Sequence, residues 1–304
     1  MYYLKRILFM IPLVLIISFL AFVFVRTLPG GPFDKERQPA SPEIKRNLRA
    51  KYHLDDPQWK QYARYLGGLV RGDFGPSMKY RDHSVNDIIK QGLPVSMTLG
   101  LLAFCFAQAI GVPLGFYTAV RRGHWQEWVG SFIAIVLVSV PALVVAPLLV
   151  MVFGIKLGML PVALWDSPKH VILPTAALGL YFSGRVARLM REGMLSTLKE
   201  PFVMTAQAKG LSHSAVLLKH AFRLGVLPVV SYSGPMLADL LVGSFVVEHV
   251  FRIPGIGVYF VNSFLNRDYT MLGGLVVIYA VFLLLLNLVV DFLYTVLDPR
   301  VRYT

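Results

Sequence analysis

Six apolar runs divide this sequence, and about 20 apolar residues suffice to cross a bilayer as helix. They extend from Ile7 to Val25, Val95 to Ala119, Trp128 to Phe153, Val171 to Met190, Val226 to Val247 and Leu272 to Leu297. The chain is therefore expected to be an all-α polytopic membrane protein with six transmembrane helices. Composition agrees, with 56% hydrophobic and only 15% charged residues in 304 and a mean hydropathy of +0.60, values outside the soluble range. The fourth run is the marginal one, because it continues into Arg185, Arg188 and Arg191 at helical spacing, as though the helix leaves the membrane there.

Lys5 and Arg6 ahead of the first run look like the start of a signal peptide. The run is long and no small-residue cleavage site follows, so it reads as an uncleaved span. The net charge of +13 does not indicate nucleic acid, because the basic residues flank the apolar runs or lie in one long loop and no nucleic-acid motif is present. Cys105 is the sole cysteine, which excludes an internal disulfide or a cysteine-based zinc site within one chain.

Basic residues also set the expected orientation. With the amino terminus inside, the cytoplasmic segments carry Lys5, Arg6, Arg121, Arg122, Arg185, Arg188, Arg191, Lys199, Lys209, Lys219, Arg223, Arg300 and Arg302. The short external loops carry only Lys156, Lys169, Arg252 and Arg267. Both termini are then cytoplasmic by the positive-inside rule, from which long loops are largely exempt.

The long loop is Pro29 to Pro94, with twelve Lys/Arg and eight Asp/Glu. Amphipathic helices are predicted over Glu43 to Tyr52 and over Gln58 to Val70, where Trp59, Tyr62, Ala63 and Leu66 recur at helical spacing. Turn signals lie at Asp55-Asp56-Pro57 and from Arg71 to Pro76. Three regions follow: residues 1–28 as the first span, 29–94 as a helical extracytoplasmic insertion, and 95–304 as a core of five spans.

Between the fourth and fifth runs lies a basic, mostly polar segment, residues 200–228. Pro201 suits a first helical turn, and Gly210 supplies the left-handed residue that ends a helix over Phe202 to Lys209. Ser212 is placed to cap a second helix, His213 to Arg223, with Val216, Leu217 and His220 on one face. By pattern alone this is an amphipathic loop on lipid headgroups or a helical hairpin presented to water.

Residues Thr205, Ala206, Ala208, Lys209, Gly210, Lys219, His220, Ala221, Leu227 and Pro228 follow the T-A-x-A-K-G, K-H-A and L-P of one family. The segment resembles the cytoplasmic coupling loop of importer-type ABC permeases, in the version found in peptide permeases. Met204-Thr205-Ala206 replace the Glu-Ala-Ala of the wider superfamily and Phe222-Arg223 its Leu-Pro, departures that peptide permeases share. The likeness extends to Ala50-Lys51-Tyr52-His53-Leu54, to Gly72 through Ser77, to Glu248 with Phe251, Pro254, Gly255 and Gly257, and to Asn266-Arg267-Asp268-Tyr269. It begins at Leu28-Pro29-Gly30 and ends at Asp298 to Tyr303.

That resemblance implies a permease subunit of an ATP-driven peptide importer in a bacterial cytoplasmic membrane. It implies a second, related permease subunit, two ATP-binding cassette ATPases, an extracytoplasmic peptide-binding protein and a peptide substrate as partners. Coupling to the ATPases would fall to Thr205, Ala206, Ala208, Lys209, Gly210 and His220. Binding-protein contact would fall to the insertion and the last external loop, through Asp73, Phe74, Gly75, Arg267 and Asp268. ATP and magnesium would be held by partner chains, since this sequence has no phosphate-binding Gly-x-x-x-x-Gly-Lys-[Ser/Thr] loop, no His-Glu-x-x-His and no Gly-x-Ser-x-Gly.

Asp239, Asn287 and Asp291 lie inside apolar runs, where charge is costly and must face the bundle, a partner or water. Pairing with an adjoining subunit is the expected use, with Asn287 and Asp291 four apart on one helix face. The rival reading is an ion-coupled secondary transporter using Asp239 and Asp291, which would show symmetry between halves. A weaker third is a non-transporting scaffold whose external region binds a partner. Pro113, Pro141, Pro147, Pro174, Pro228 and Pro235, with Gly100, Gly111, Gly115, Gly234 and Gly243, allow bending and close packing in either case.

Overall fold

The structure is a computed structural model that describes residues 2–27, 32–33, 42–80, 82–241 and 243–297. The expected resemblance at Leu28-Pro29-Gly30 and at Asp298 to Tyr303 lies outside them. Among the described residues the fold is helical throughout, without a β-strand. Helix α1 (Tyr2–Thr27) is followed by α2 (Pro42–Lys51) and α3 (Gln58–Val70) in the insertion, then by α4 (Val85–Val120). Next come α5 (Trp125–Ser139), α6 (Ala142–Leu149), a π-helical stretch Val150–Lys156, and α7 (Pro168–Thr197). The polar segment holds α8 (Pro201–Ala208), α9 (His213–Ala215), a π-helical stretch Val216–Ala221 and α10 (Phe222–Gly225). Then α11 (Leu227–Leu241), α12 (Phe245–Phe251), α13 (Ile256–Asn266) and α14 (Tyr269–Leu297) close the chain.

Three helices among the described residues are long and apolar enough to cross a membrane: Arg6–Thr27, Val85–Val120 and Tyr269–Phe292. Two bent pairs meet the same criteria together, Trp125–Ser139 with Ala142–Lys156 and His213–Gly225 with Leu227–Leu241. Helix α7 is 30 residues long but carries Arg185, Arg188, Arg191 and Glu192 in its second half. Two of these are accommodated by neighbours: Arg191 pairs with Glu127 of α5, and Arg185 lies 5.0 Å from the Tyr232 ring centroid of α11.

Helices α4 and α7 pack along much of their length at the centre of the bundle. Lipid supplies no hydrophobic drive between helices, so close van der Waals contact through small residues does the holding. A Cβ added at Gly111 would stand 2.6 Å from the Ser183 carbonyl oxygen, and one at Gly115 would collide with the Ala187 carbonyl. A Cβ at Gly184, on another face of α7, would stand 2.6 Å from the Ala134 carbonyl of α5. Met190, Met194 and Met236 fill the space between these contacts and are fully buried. Helix α1 packs chiefly on α14 and leaves Phe9, Ile16, Phe19, Leu20 and Phe24 exposed, as a lipid-facing helix does.

Three boundaries differ from expectation. Helix α4 starts at Val85, ten residues before the apolar run, because Ser84 and Asp87 form a reciprocal capping box and the polar first turns hide the helix from an apolar count. Pro94 therefore lies inside a helix. The third run is no single helix: Val140 is extended ahead of Pro141, as a residue preceding proline prefers, and the chain bends there by 99°. The fifth run stops at Leu241 and not Val247, because Gly243 turns the chain at φ +94.

Candidate functional site

The segment 200–228 is anchored on one side and open on the other. Val203, Ala206, Val216, Leu217 and Ala221 are buried and join the main core with α4 and α7. Met204, Thr205, Gln207, Ala208, Lys209, Gly210 and Leu211 are exposed. Thr205, Ala208, Lys209 and Gly210 thus share an outward rim, whereas Ala206 lies beneath it as a packing residue. The Thr205 hydroxyl donates to the Pro201 carbonyl at 3.0 Å, so at the rim it presents mainly its methyl group. Gly210 ends α8 with φ +76, and its N–H donates to the Gln207 carbonyl at 2.9 Å. Ser212 caps α9, accepting from the Ala215 N–H at 3.4 Å.

The second helix of the expected hairpin is part of the next span. From His213 the chain stays helical through the π-helical stretch, which holds the half-buried His220, and enters α11 with a bend of 45°. At its base α10 meets α7 backbone to backbone. A Cβ at Gly193 would collide with the Gly225 carbonyl oxygen, and one at Gly225 would stand 2.5 Å from the Met194 sulfur. The rim is thus joined to two helices, to α11 through the continuous backbone and to α7 through the glycine contact.

Near the start of α4 the signature from Glu248 to Gly257 is an internal brace. Glu248 of α12 is buried. Its Oε1 accepts from the Ser96 hydroxyl of α4 at 2.7 Å, and its Oε2 accepts from the N–H groups of Gly257 and Val258 at 2.8 and 3.3 Å. The carboxylate thus sits at the N-terminus of α13, where unpaired N–H groups and the helix dipole favour an anion. Side chains at Gly243, Gly255 or Gly257 would run into it.

The five residues expected to touch a binding protein do not form one surface. Asp268 is fully buried: it caps α14, accepting from Met271 N–H at 3.1 Å, and it accepts from Ser77 of the insertion. It fastens the insertion to α14 and is not available as a contact. Phe74 is half-buried against Gly274 and Val85. Asp73 remains exposed and accepts from the Gly75 N–H at 2.9 Å, Gly75 turns at φ +85, and Arg267 is a left-handed helix cap with φ +58.

The intramembrane acids have partners within the chain. Asp291 pairs with Arg6 of α1, and Asp239 accepts from the Tyr279 hydroxyl at 2.7 Å. A Cβ at Gly234 of α11 would lie 3.2 Å from Asn287 Oδ1, so that amide faces α11.

The family described as "Binding-protein-dependent transport system inner membrane component" matches residues 111–303. The chain belongs to that family. Among curated proteins it is 42% identical over 301 residues to the oligopeptide transport system permease protein OppB of Haemophilus influenzae, covering 98% of each chain. It is 41% identical to the dipeptide transport system permease protein DppB of Bacillus subtilis, covering 99% of this chain and 97% of that one. Among solved structures, an inward-facing MetNI methionine ABC transporter superposes with a TM-score of 0.58 at 15% identity, over 69% of this chain and 96% of that one. That likeness supports the fold.

As an inner membrane component of this family, the chain keeps its rim, brace and glycine contact within the matched residues, apart from Ser96. The alignments with OppB and DppB extend the likeness over α1 and the insertion as well. In the sequence Glu248 stands out as part of a family signature without an assigned role, and Ser96, Gly193 and Gly225 do not stand out. The glycines of the Pro254-Gly255-x-Gly257 turn were the available signal for the brace: glycines cluster where backbone must approach another group closely.

Proposed function

We propose that the chain is one of two related permease subunits of an ATP-driven, binding-protein-dependent peptide importer. The observation that carries this reading is identity above 40% along nearly the whole chain to permeases named for oligopeptides and dipeptides. In this reading six helices cross the membrane with both termini in the cytoplasm, and α7 is the fourth of them. One of two ATPase subunits docks on the rim formed by Thr205, Ala208, Lys209 and Gly210, the other on the second permease subunit, and the two ATPases hold the ATP and magnesium. Their closure moves the rim, and α11 and α7 follow, reorienting the central path between its two sides. This chain carries out no covalent step. A peptide-binding protein delivers cargo at the opposite face, where Asp73, Gly75 and Arg267 remain near the surface.

Ion-coupled transport through Asp239 and Asp291 is not favoured, because each carboxylate is engaged by a neighbouring helix of the same chain. The testing experiment is mild-detergent purification of the tagged chain from its host, with mass identification of what accompanies it. Two ATPases and a second permease of similar size are expected. A chain that emerges alone, from a preparation that keeps other membrane complexes intact, overturns the reading.

A further inference from the structure

A cavity of about 510 Å3 lies where the insertion meets the ends of α1 and α14. Four Lys/Arg line it, Arg26 from the last turn of α1 and Lys51, Arg64 and Arg71 from the insertion, against a single acid, Asp73. Arg64 is satisfied by Asp56 at 2.8 Å, a contact that holds the Asp56 carboxyl below its ordinary range. Arg26, Lys51 and Arg71 have no carboxylate partner among the described residues.

Among the described residues, neutral groups alone hold Arg26 in place. Its Nε and Nη2 donate to Gln61 Oε1 at 3.2 and 3.0 Å, and Nη1 donates to the Phe22 carbonyl at 3.3 Å. The guanidinium stands 3.4 Å over the Phe22 ring. Gln61 cannot turn its amide round, because its NH2 group donates to the Leu54 and Asp56 carbonyls at 3.1 and 2.8 Å. The result is a half-buried, pre-oriented guanidinium with N–H donors to spare and, among the described residues, no counter-charge, a costly arrangement unless an anion completes it.

Placement narrows the anion. Arg26 ends one apolar span and Tyr269 begins another, so the cavity lies at headgroup level, where aromatic residues gather. The flank of α1 leading up to it exposes Phe19, Leu20, Val23 and Phe24. Helix α1 packs chiefly on α14, away from the α4–α7 centre, so the α1 side of the cavity lies at the lipid-facing edge of the bundle. A planar guanidinium binds phosphate through paired hydrogen bonds.

We propose that this cavity binds the phosphate headgroup of an anionic phospholipid, ligated by Arg26 and Arg71 with Lys51 adding charge, while the acyl chains lie along the exposed flank of α1. In the orientation proposed above this is a lipid of the extracytoplasmic leaflet. The bound lipid would tie the insertion to the first span.

The test uses the purified full-length chain in detergent, titrated with dihexanoyl phosphatidylglycerol, with phosphatidylcholine of the same chains, and with inorganic phosphate. Melting temperature and retained lipid by native mass spectrometry are read. Phosphatidylglycerol is expected to raise the melting temperature and to remain bound, and Arg26→Gln to weaken its apparent affinity about tenfold or more, the loss of a charge-assisted hydrogen bond. Arg71→Gln, at an exposed side chain, carries the same test if Arg26→Gln does not fold; Lys156→Gln, outside the cavity, should change nothing. Equal protection by phosphatidylcholine, or phosphatidylglycerol binding unchanged in the variants, overturns the site. A full effect from inorganic phosphate alone overturns the lipid and leaves a free-anion site. No outcome depends on uptake, so failure here leaves the importer reading standing.

Discussion

Ser96 of α4 donates a 2.7 Å hydrogen bond to Glu248, and the same hydroxyl oxygen accepts the N–H of Ile256 at 2.8 Å. One side chain therefore joins a long central helix to two short helices that lie some 150 positions further along the chain.

Ser96→Ala leaves one Glu248 oxygen and the Ile256 N–H without a partner in a buried place. The expected cost is about 1–3 kcal/mol, the penalty for orphaning buried polar groups. A thermal melt of the purified subunit in one detergent checks it, and an unchanged melting temperature would show that water or another group replaces the serine.

Gly193→Ala places a methyl group against the Gly225 carbonyl. Forcing extra volume into a well-packed contact costs about 1–3 kcal/mol, and here the strain falls where α10 joins α7. The variant should insert and assemble yet transport poorly, whereas Gly67→Ala, where an added Cβ meets nothing within 4 Å, should transport normally. Uptake into proteoliposomes containing the assembled transporter separates the two.

Gly210 presents a different case, because a Cβ there meets no atom within 4 Å and only the positive φ resists substitution. Left-handed backbone costs an L residue about 1–2 kcal/mol, and a β-branched side chain makes it worse. Gly210→Val should therefore remain stably inserted while ATP hydrolysis no longer drives uptake. Paired ATPase and uptake assays decide it, and normal uptake by a stably inserted variant refutes the role given to this glycine.

The Arg6–Asp291 pair fastens α1 to α14 with side chains 43% and 15% exposed. A double-mutant cycle of Arg6→Gln and Asp291→Asn on thermal stability should return a coupling of about 1 kcal/mol, since partial exposure weakens such a pair. A coupling indistinguishable from zero would mean that packing alone holds α1 against α14.

Much of this was legible in the residues. Apolar runs determine by themselves that most of these segments are membrane helices, because lipid leaves backbone groups no partner but one another. Gly210 with Ser212 marks the break between α8 and α9, because left-handed geometry and capping are local chemistry. What was misread depends on neighbours distant in the chain. Polar first turns masked the start of α4, and Pro141 could as easily have kinked a span as bent it by 99°. Asp268 looks like an external contact until Ser77, 191 positions away, is seen to cover it, and nothing local to Asp291 shows that α1 brings Arg6 alongside. Sequence alone determined the membrane class, the helices and the turn chemistry, whose causes lie within a few residues. Tertiary structure decided which faces are buried, which charges are spent and which cations are left over, because those depend on contacts between helices that no local pattern records.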